Sequence, residues 1–328
     1  MTPTPLLDDP VLSREWTAVA KSSDLREAPL RVSVLGEAVA LWRTQSGVYA
    51  FRDLCIHRGT ALSLGRVEGD TLVCPYHGWR YDGTGQCVEI PAQPELPIPR
   101  KARALRYACQ EAYGLIWVCL AEPKAELPPY TEAQASGFRT VICGPYTVSA
   151  EAPRVIENFL DISHLMWVHE GYLGSTSHAE IPEYRTHRRS ERLITDPITV
   201  FQPDPDGRGR GVNNTYVYEV LRPLTARFTK TDDASDDVFT MLIHARPAAE
   251  RRTSAYALLS RNYAHDTPDS VFTEFQDKIF AQDERILLSQ RPEQLPLDLA
   301  AELHIKSDRL AIAYRQWLAE LGVKVGVA

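Results

Sequence analysis

The sequence has no apolar run approaching the roughly eighteen residues that a membrane helix requires. Its start, Met1-Thr-Pro-Thr-Pro-Leu-Leu-Asp-Asp-Pro10, has neither a basic segment nor an apolar one behind it, so it does not read as a secretory signal. Basic charge is in deficit. Lys and Arg number 36 against 43 Asp and Glu, and the net charge of −7 disfavours non-specific binding to nucleic acid or to an anionic membrane. Cysteine is sparse too: six residues spread between 55 and 143 are too few for a disulfide scaffold in a chain of 328. A nucleotide fingerprint is missing. Gly207-Arg-Gly-Arg-Gly211 is glycine-rich, but it follows a polar turn rather than a strand and lacks the Rossmann spacing, so neither NAD nor flavin is expected to bind directly. Free thiols without an export signal fit a reduced, cytoplasmic setting.

What the chain does have starts with two short phrases, Cys55-Ile-His57 and Cys74-Pro-Tyr-His77. Two thiolates and two imidazoles at this spacing suit one [2Fe–2S] cluster, the cysteines on one iron and the histidines on the other. The same four side chains are also a structural zinc set. The flanks favour the cluster: Pro75 stiffens the second loop and Gly78 lets backbone pass close, so that N–H groups can point at sulfur. Cys109, Cys119 and Cys143 lie in apolar, strand-like surroundings and read as small buried hydrophobes. Cys87 is assigned no role.

Short β-like runs separated by turn residues continue to about residue 120. Prolines crowd 91–99 and 121–130, and the second stretch is a plausible boundary. The expected domains are therefore 1–130, with a core over about 12–120, and 131–328. In the second, 153–167 reads as a helix and 214–221, 238–244 and 254–260 as strands. Longer helices are expected over about 268–290 and 306–321. Residues 202–211 read as a mobile polar loop. A sheet flanked by helices makes an α+β fold.

Residues 157–169 read Glu-Asn-Phe-Leu-Asp-Ile-Ser-His-Leu-Met-Trp-Val-His. His164 and His169 are five apart, which rotates them by about 140° on one helix. A helix ending near Trp167 would put His169 on the next turn. Two imidazoles and a carboxylate then form the facial triad of mononuclear non-haem Fe(II). Taken alone, the pair is also what two ordinary histidines at a helix end look like. The third ligand must come from downstream. On the 268–290 helix the apolar stripe is Phe272, Phe275, Ile279, Ile286 and Leu287, and Asp283 falls inside it, while Asp277 and Glu284 fall on the polar face. A carboxylate on a core face is costly unless it is paired or metal-bound, which selects Asp283. Pairing with Arg285 or a neighbouring helix is the other role open to it. Asp161, three residues before His164, can accept an N–H from that imidazole.

The run Cys74-Pro-Tyr-His-Gly-Trp-Arg-Tyr-Asp-Gly83 closely resembles the Rieske signature of ring-hydroxylating and related oxygenases. The phrase Glu157-Asn-x2-Asp-x2-His-x4-His169 resembles their mononuclear iron motif, and Gln282-Asp-Glu-Arg-Ile-Leu-Leu-Ser-Gln-Arg-Pro292 the segment with their third ligand. The likeness runs in order over essentially the whole chain. It is nearest to the saxitoxin-pathway Rieske hydroxylases, through Cys74–Tyr81 and the run Ser307-Asp-Arg to Gly322-Val, and more distant to caffeine N-demethylase.

The resemblance implies a small all-β Rieske domain followed by a larger helix-flanked antiparallel sheet of START-like type. It implies a [2Fe–2S] cluster on Cys55, His57, Cys74 and His77, and Fe(II) on His164, His169 and Asp283. O2 is the co-substrate, and electrons come from a separate reductase or ferredoxin, drawing on NAD(P)H. The length suits a monooxygenase-type α subunit. The implied reaction is hydroxylation of a small organic molecule; at an N- or O-methyl carbon the product collapses to the demethylated compound and formaldehyde. The family also implies a homotrimer in which Asp161 bridges to His77 of the next chain, with Asn158 as an amide near the iron. A cluster-bearing electron carrier without an oxygenase site is the competing class, and Asp283 on an apolar stripe argues against it.

Overall fold

The computed structural model describes residues 8–207 and 209–328. Met1–Leu7, in the segment read above for a signal, and Arg208, in the glycine-rich run, lie outside the described residues. The chain divides into two compact units after Leu127.

The first unit is all β. Strands β1 (Thr17–Lys21), β2 (Leu30–Val34), β3 (Glu37–Thr44) and β4 (Gly47–Arg52) are followed by four short ones, β5 (Arg66–Glu68), β6 (Thr71–Val73), β7 (Arg80–Asp82) and β8 (Cys87–Glu89), and then by β9 (Arg106–Ala112) and β10 (Leu115–Cys119). The order β1-β10-β9-β4-β3-β2 makes one antiparallel sheet and β5-β6-β7-β8 another. Thr44-Gln-Ser-Gly47 closes the β3–β4 hairpin as the turn residues require. Trp42, Phe51, Leu62, Leu72 and Tyr81 form the core, and Cys55 and Cys74 belong to the same buried cluster. Gly65 ends the first ligand loop, where a Cβ would stand 2.1 Å from the Val73 carbonyl oxygen. Only glycine lets that loop lie against the strand that leads to Cys74.

The second unit begins with β11 (Arg139–Val148), α1 (Ala152–Leu160) and α2 (Leu165–Val168). Strands β12 (Thr186–Arg189), β13 (Arg192–Thr195), β14 (Ile198–Gln202), β15 (Val212–Arg222), β16 (Thr225–Asp232), β17 (Val238–Ala249) and β18 (Arg252–Arg261) follow, then α3 (Asp269–Leu287) and α4 (Arg309–Leu321). The antiparallel sheet runs β11-β18-β17-β16-β15-β13-β12, with β14 also paired to β15. Helix α3 packs on β11, where Phe280 stacks on Tyr146 with ring centroids 4.1 Å apart, and α1 packs on β16, β17 and β18. The unit is α+β, as the sequence leads one to expect. No helix among the described residues is long and apolar enough to cross a membrane.

Three expectations need correction. The helix over 153–167 is broken: α1 stops at Leu160 and α2 starts at Leu165. The Asp161 carboxylate accepts the Ser163 N–H at 2.7 Å, a local turn that competes with helix. Ile286 is not on the buried stripe of α3; it is 41 % exposed, and the buried stripe is Phe272, Gln276, Ile279, Phe280 and Leu287. Within the supposed loop 202–211, Gln202 and Asp206 are buried, and Pro205 and Asp206 form part of a cavity wall.

Candidate metal centres and substrate chamber

In the first unit Cys55 and Cys74 reach the site from inside the core, while His57 is half-buried and His77 exposed. The loops carrying them close on themselves: the Gly59 N–H donates to the Cys55 carbonyl at 2.9 Å and the Gly78 N–H to the Cys74 carbonyl at 3.1 Å. The His57 and His77 rings lie 4.5 Å apart, and His57 stacks on Trp79 at the same distance and 7° from parallel. Burial pushes the Cys74 thiol up, and the Cys55 sulfur adds to that, while backbone N–H groups of Tyr76 and His77 act the other way. The Tyr81 hydroxyl is 3.1 Å from the Cys55 sulfur, and burial keeps it protonated, so toward a thiolate it would be the donor. Two buried sulfurs with donors near them, one half-buried imidazole and one exposed imidazole fit a [2Fe–2S] cluster better than a plain zinc set.

In the second unit the break after α1 turns His164 back toward the sheet and leaves His169 at the end of α2. Gly174 allows the following turn to fold against α2; a Cβ there would meet the Leu165 carbonyl oxygen and Met166 Cα at 2.6 Å. Asp283 comes from α3 with its side chain 13 % exposed. His164 Nε2 and His169 Nε2 are 3.2 Å apart, and the Asp283 carboxylate oxygen is 3.4 and 3.1 Å from them. Donors about 2.1 Å from one ion at right angles stand about 3.0 Å apart, so the trio fits one face of an octahedral site. Burial alone would raise the Asp283 carboxyl, but hydrogen bonds from the two imidazoles outweigh it and hold it down at about 2. His164 is raised: burial opposes its charged form, and Asp283 more than compensates.

Asn158 donates a long hydrogen bond, 3.4 Å, to the Asp283 carboxylate. The same-face argument expects Asp161 to accept from His164, but its carboxylate oxygen is 3.9 Å from Nδ1, beyond hydrogen-bonding range, and that nitrogen is buried without a side-chain partner among the described residues. Gln282 is the group that sequence reasoning passed over. It lies in the motif quoted for Asp283, yet one residue along a helix normally points elsewhere, and here its amide oxygen meets His169 Nδ1 at 2.8 Å.

The three side chains open onto a partly enclosed cavity. Phe159, Tyr216, Tyr218, Phe228, Phe239 and Phe272 supply much of its wall. Phe159 stacks on Phe228 at 5.3 Å and Tyr216 on Tyr218 at 5.5 Å. An aromatic-lined cavity that ends in a candidate metal-ligand trio suits a small organic molecule.

Residues 15–100 match the family described as the Rieske [2Fe-2S] domain, and 148–324 the vanillate O-demethylase oxygenase C-terminal domain. Methylxanthine N1-demethylase NdmA of Pseudomonas putida is 32 % identical over 93 % of this chain and 88 % of its own. Methylxanthine N3-demethylase NdmB of the same organism is 27 % identical over 97 % of this chain and 92 % of its own. The solved structure of Pseudomonas putida NdmA with caffeine superposes with a TM-score of 0.85 at 32 % identity, covering 94 % of this chain and 91 % of that one. The more distant of the two resemblances drawn from the sequence, to a caffeine demethylase, is the one these relatives carry. The chain therefore belongs to the Rieske non-haem iron oxygenases, as the terminal oxygenase that uses a [2Fe–2S] cluster, mononuclear iron, O2 and electrons from a partner reductase.

Proposed function

We propose that this oxygenase removes methyl groups from a planar N- or O-methylated ring compound. The cluster is assigned to Cys55, His57, Cys74 and His77, and the iron to His164, His169 and Asp283. The observation that carries the reading is the aromatic chamber whose end is the His164–His169–Asp283 trio. Relatives named as methylxanthine N-demethylases support an N-methyl substrate.

The residues divide the work. Phe159, Phe228 and Tyr218, packed on one another, form an aromatic wall for the ring to lie against and keep water out. Asn158 steadies the Asp283 carboxylate, and Gln282 holds the His169 ring by accepting its Nδ1–H, which leaves Nε2 free to ligate. Fe(II) bound there supplies O2 activation, with electrons delivered through the cluster. Hydroxylation of the methyl carbon yields an unstable carbinol, which leaves as formaldehyde and the demethylated compound.

The quaternary reading is a homotrimer in which Asp161 of one chain meets His77 of the next. It is supported by a half-exposed Asp161 in a cleft lined by Ile286, Leu303 and His304, and by an exposed His77 on the first unit. An apolar, solvent-facing rim such as Leu303 and Ile305 make suits a protein neighbour. We assign the protein to the cytoplasm, which suits its free cysteines and oxygen-sensitive metals.

Protein purified without air should carry about three irons and two acid-labile sulfides per chain. With reductant and a methylated ring compound it should consume O2 and release formaldehyde. Two irons per chain would leave only an electron carrier, and O2 uptake with a hydroxylated product but no formaldehyde would make it a hydroxylase.

A further inference from the structure

We propose that Lys230 determines specificity in the chamber by donating a hydrogen bond to an acceptor oxygen, a carbonyl or an oxyanion, on the edge of the substrate ring remote from the reacting methyl. The inference rests on the reading that the chamber holds the substrate.

Strand β16 alternates strictly, so Ala226, Phe228, Lys230 and Asp232 all point inward. Lys230 is thus set among core positions. It is 5 % exposed, pairs across the sheet with Tyr216 and Phe239, and lines the chamber beside both. Its ammonium nitrogen is 4.8 Å from the centre of the Phe239 ring and 5.9 Å from that of Tyr216. The Pro205 carbonyl accepts from it at 3.2 Å, which holds the head in place. Among the described lining residues it is the one lysine or arginine. Burying an ammonium group is costly, and an ordinary hydrophobe would pack this position as well if packing were its only task.

The strand register sets Lys230 one inward position beyond Phe228. Phe159, the neighbour of Asn158 on α1, stacks on Phe228. Lys230 is the next inward residue along β16, about 6.8 Å further on, roughly the span of a flat ring laid on Phe228. The Tyr216 hydroxyl donates to the Gln202 amide oxygen at 3.1 Å, and the Asn158 amide to Asp283, whereas an ammonium group carries three donors and so can serve a ligand besides the Pro205 carbonyl. Asp206, buried next to Pro205, puts a carboxylate in the same wall.

The test uses holoenzyme, a chemical reductant with a mediator, and two matched pairs: caffeine with N-methylbenzimidazole, and para-methoxybenzoate with methoxybenzene. The first pair reports a neutral carbonyl, the second an anion. In at least one pair the oxygen-bearing member should support O2 uptake with a KM about 10- to 100-fold below its partner's, the worth of one hydrogen bond from a charged donor. Lys230→Met should erase that preference through KM, with kcat falling far less, and Lys230→Arg should restore much of it. Equal KM values within both pairs, or a preference that survives Lys230→Met, would overturn the inference. So would failure of every probe in enzyme that carries its mononuclear iron, because the substrate class would then be wrong. Phe228→Trp fills the chamber and should stop uptake of all probes; wild-type turnover in that variant would show instead that the chamber is not the substrate site.

Discussion

The amide oxygen of Gln282 lies 2.8 Å from Nδ1 of His169, so the residue preceding one metal-ligand candidate holds another in register. Helix α3 therefore contributes twice to the centre. Gln282→Leu should keep the fold and the cluster's visible absorbance but weaken the mononuclear iron about 10- to 100-fold, as loss of a group that orients a metal-bound imidazole typically does. Iron retained against a graded chelator series reads this out, and unchanged retention would mean that the contact does not orient the ligand.

Asp283→Ala leaves two imidazoles facing an apolar chamber without the carboxylate that completes the trio. Iron should fall by about one per chain, with acid-labile sulfide unchanged, and substrate-dependent O2 uptake should disappear. Full activity in this variant would show that another group completes the site.

Tyr81→Phe removes the hydroxyl 3.1 Å from the Cys55 sulfur. A hydrogen bond to sulfur stabilises the more negative, reduced cluster, so its loss should lower the reduction potential. If the two oxidation states differ by about 1 kcal/mol in that bond, the drop is roughly 40 mV. Redox titration followed by electron paramagnetic resonance measures it; a rise in potential would contradict the donor role.

Arg315 binds Glu157 through two nitrogens, at 2.5 and 2.9 Å, and Glu302 at 2.6 Å. Arg154 completes the network on the same two carboxylates. Arg315→Ala leaves Glu157 buried with half its partners gone. The cost should be about 3–5 kcal/mol, seen as a fall on the order of 10 °C in the second unit's unfolding temperature. Scanning calorimetry should show the first unit's transition unmoved.

The metal-ligand candidates could be read from sequence because each group is local: C-x-H, C-x2-H, and His164 with His169 sit on short loops or a helix end. Asp283 was found by periodicity, since a carboxylate among buried apolar residues stands out. The break at Asp161 left no such mark. No proline or glycine interrupts 157–169, and the signal was only that Asp and Ser side chains offer the backbone a turn in place of a helix. Ile286 was misread because apolar identity does not say where a helix runs past its sheet; the residue faces the outer cleft instead. Lys230 and the buried part of 202–206 were missed for a converse reason. Polar residues default to solvent, and it takes the β16 register to show a lysine pointing inward.

Helix α1 has one face on the chamber, through Val155, Asn158 and Phe159, and another in the buried charge network, through Arg154 and Glu157. On the sheet side, Phe228 meets the chamber from β16, Met241 and Ile243 from β17, and Leu259 from β18, each on a strand held by its own ladder. New substrate ranges are therefore cheapest to reach from the sheet side. A combinatorial library confined to β15–β18 should yield many folded variants with altered selectivity, whereas an equal library on α1 should yield mostly insoluble protein.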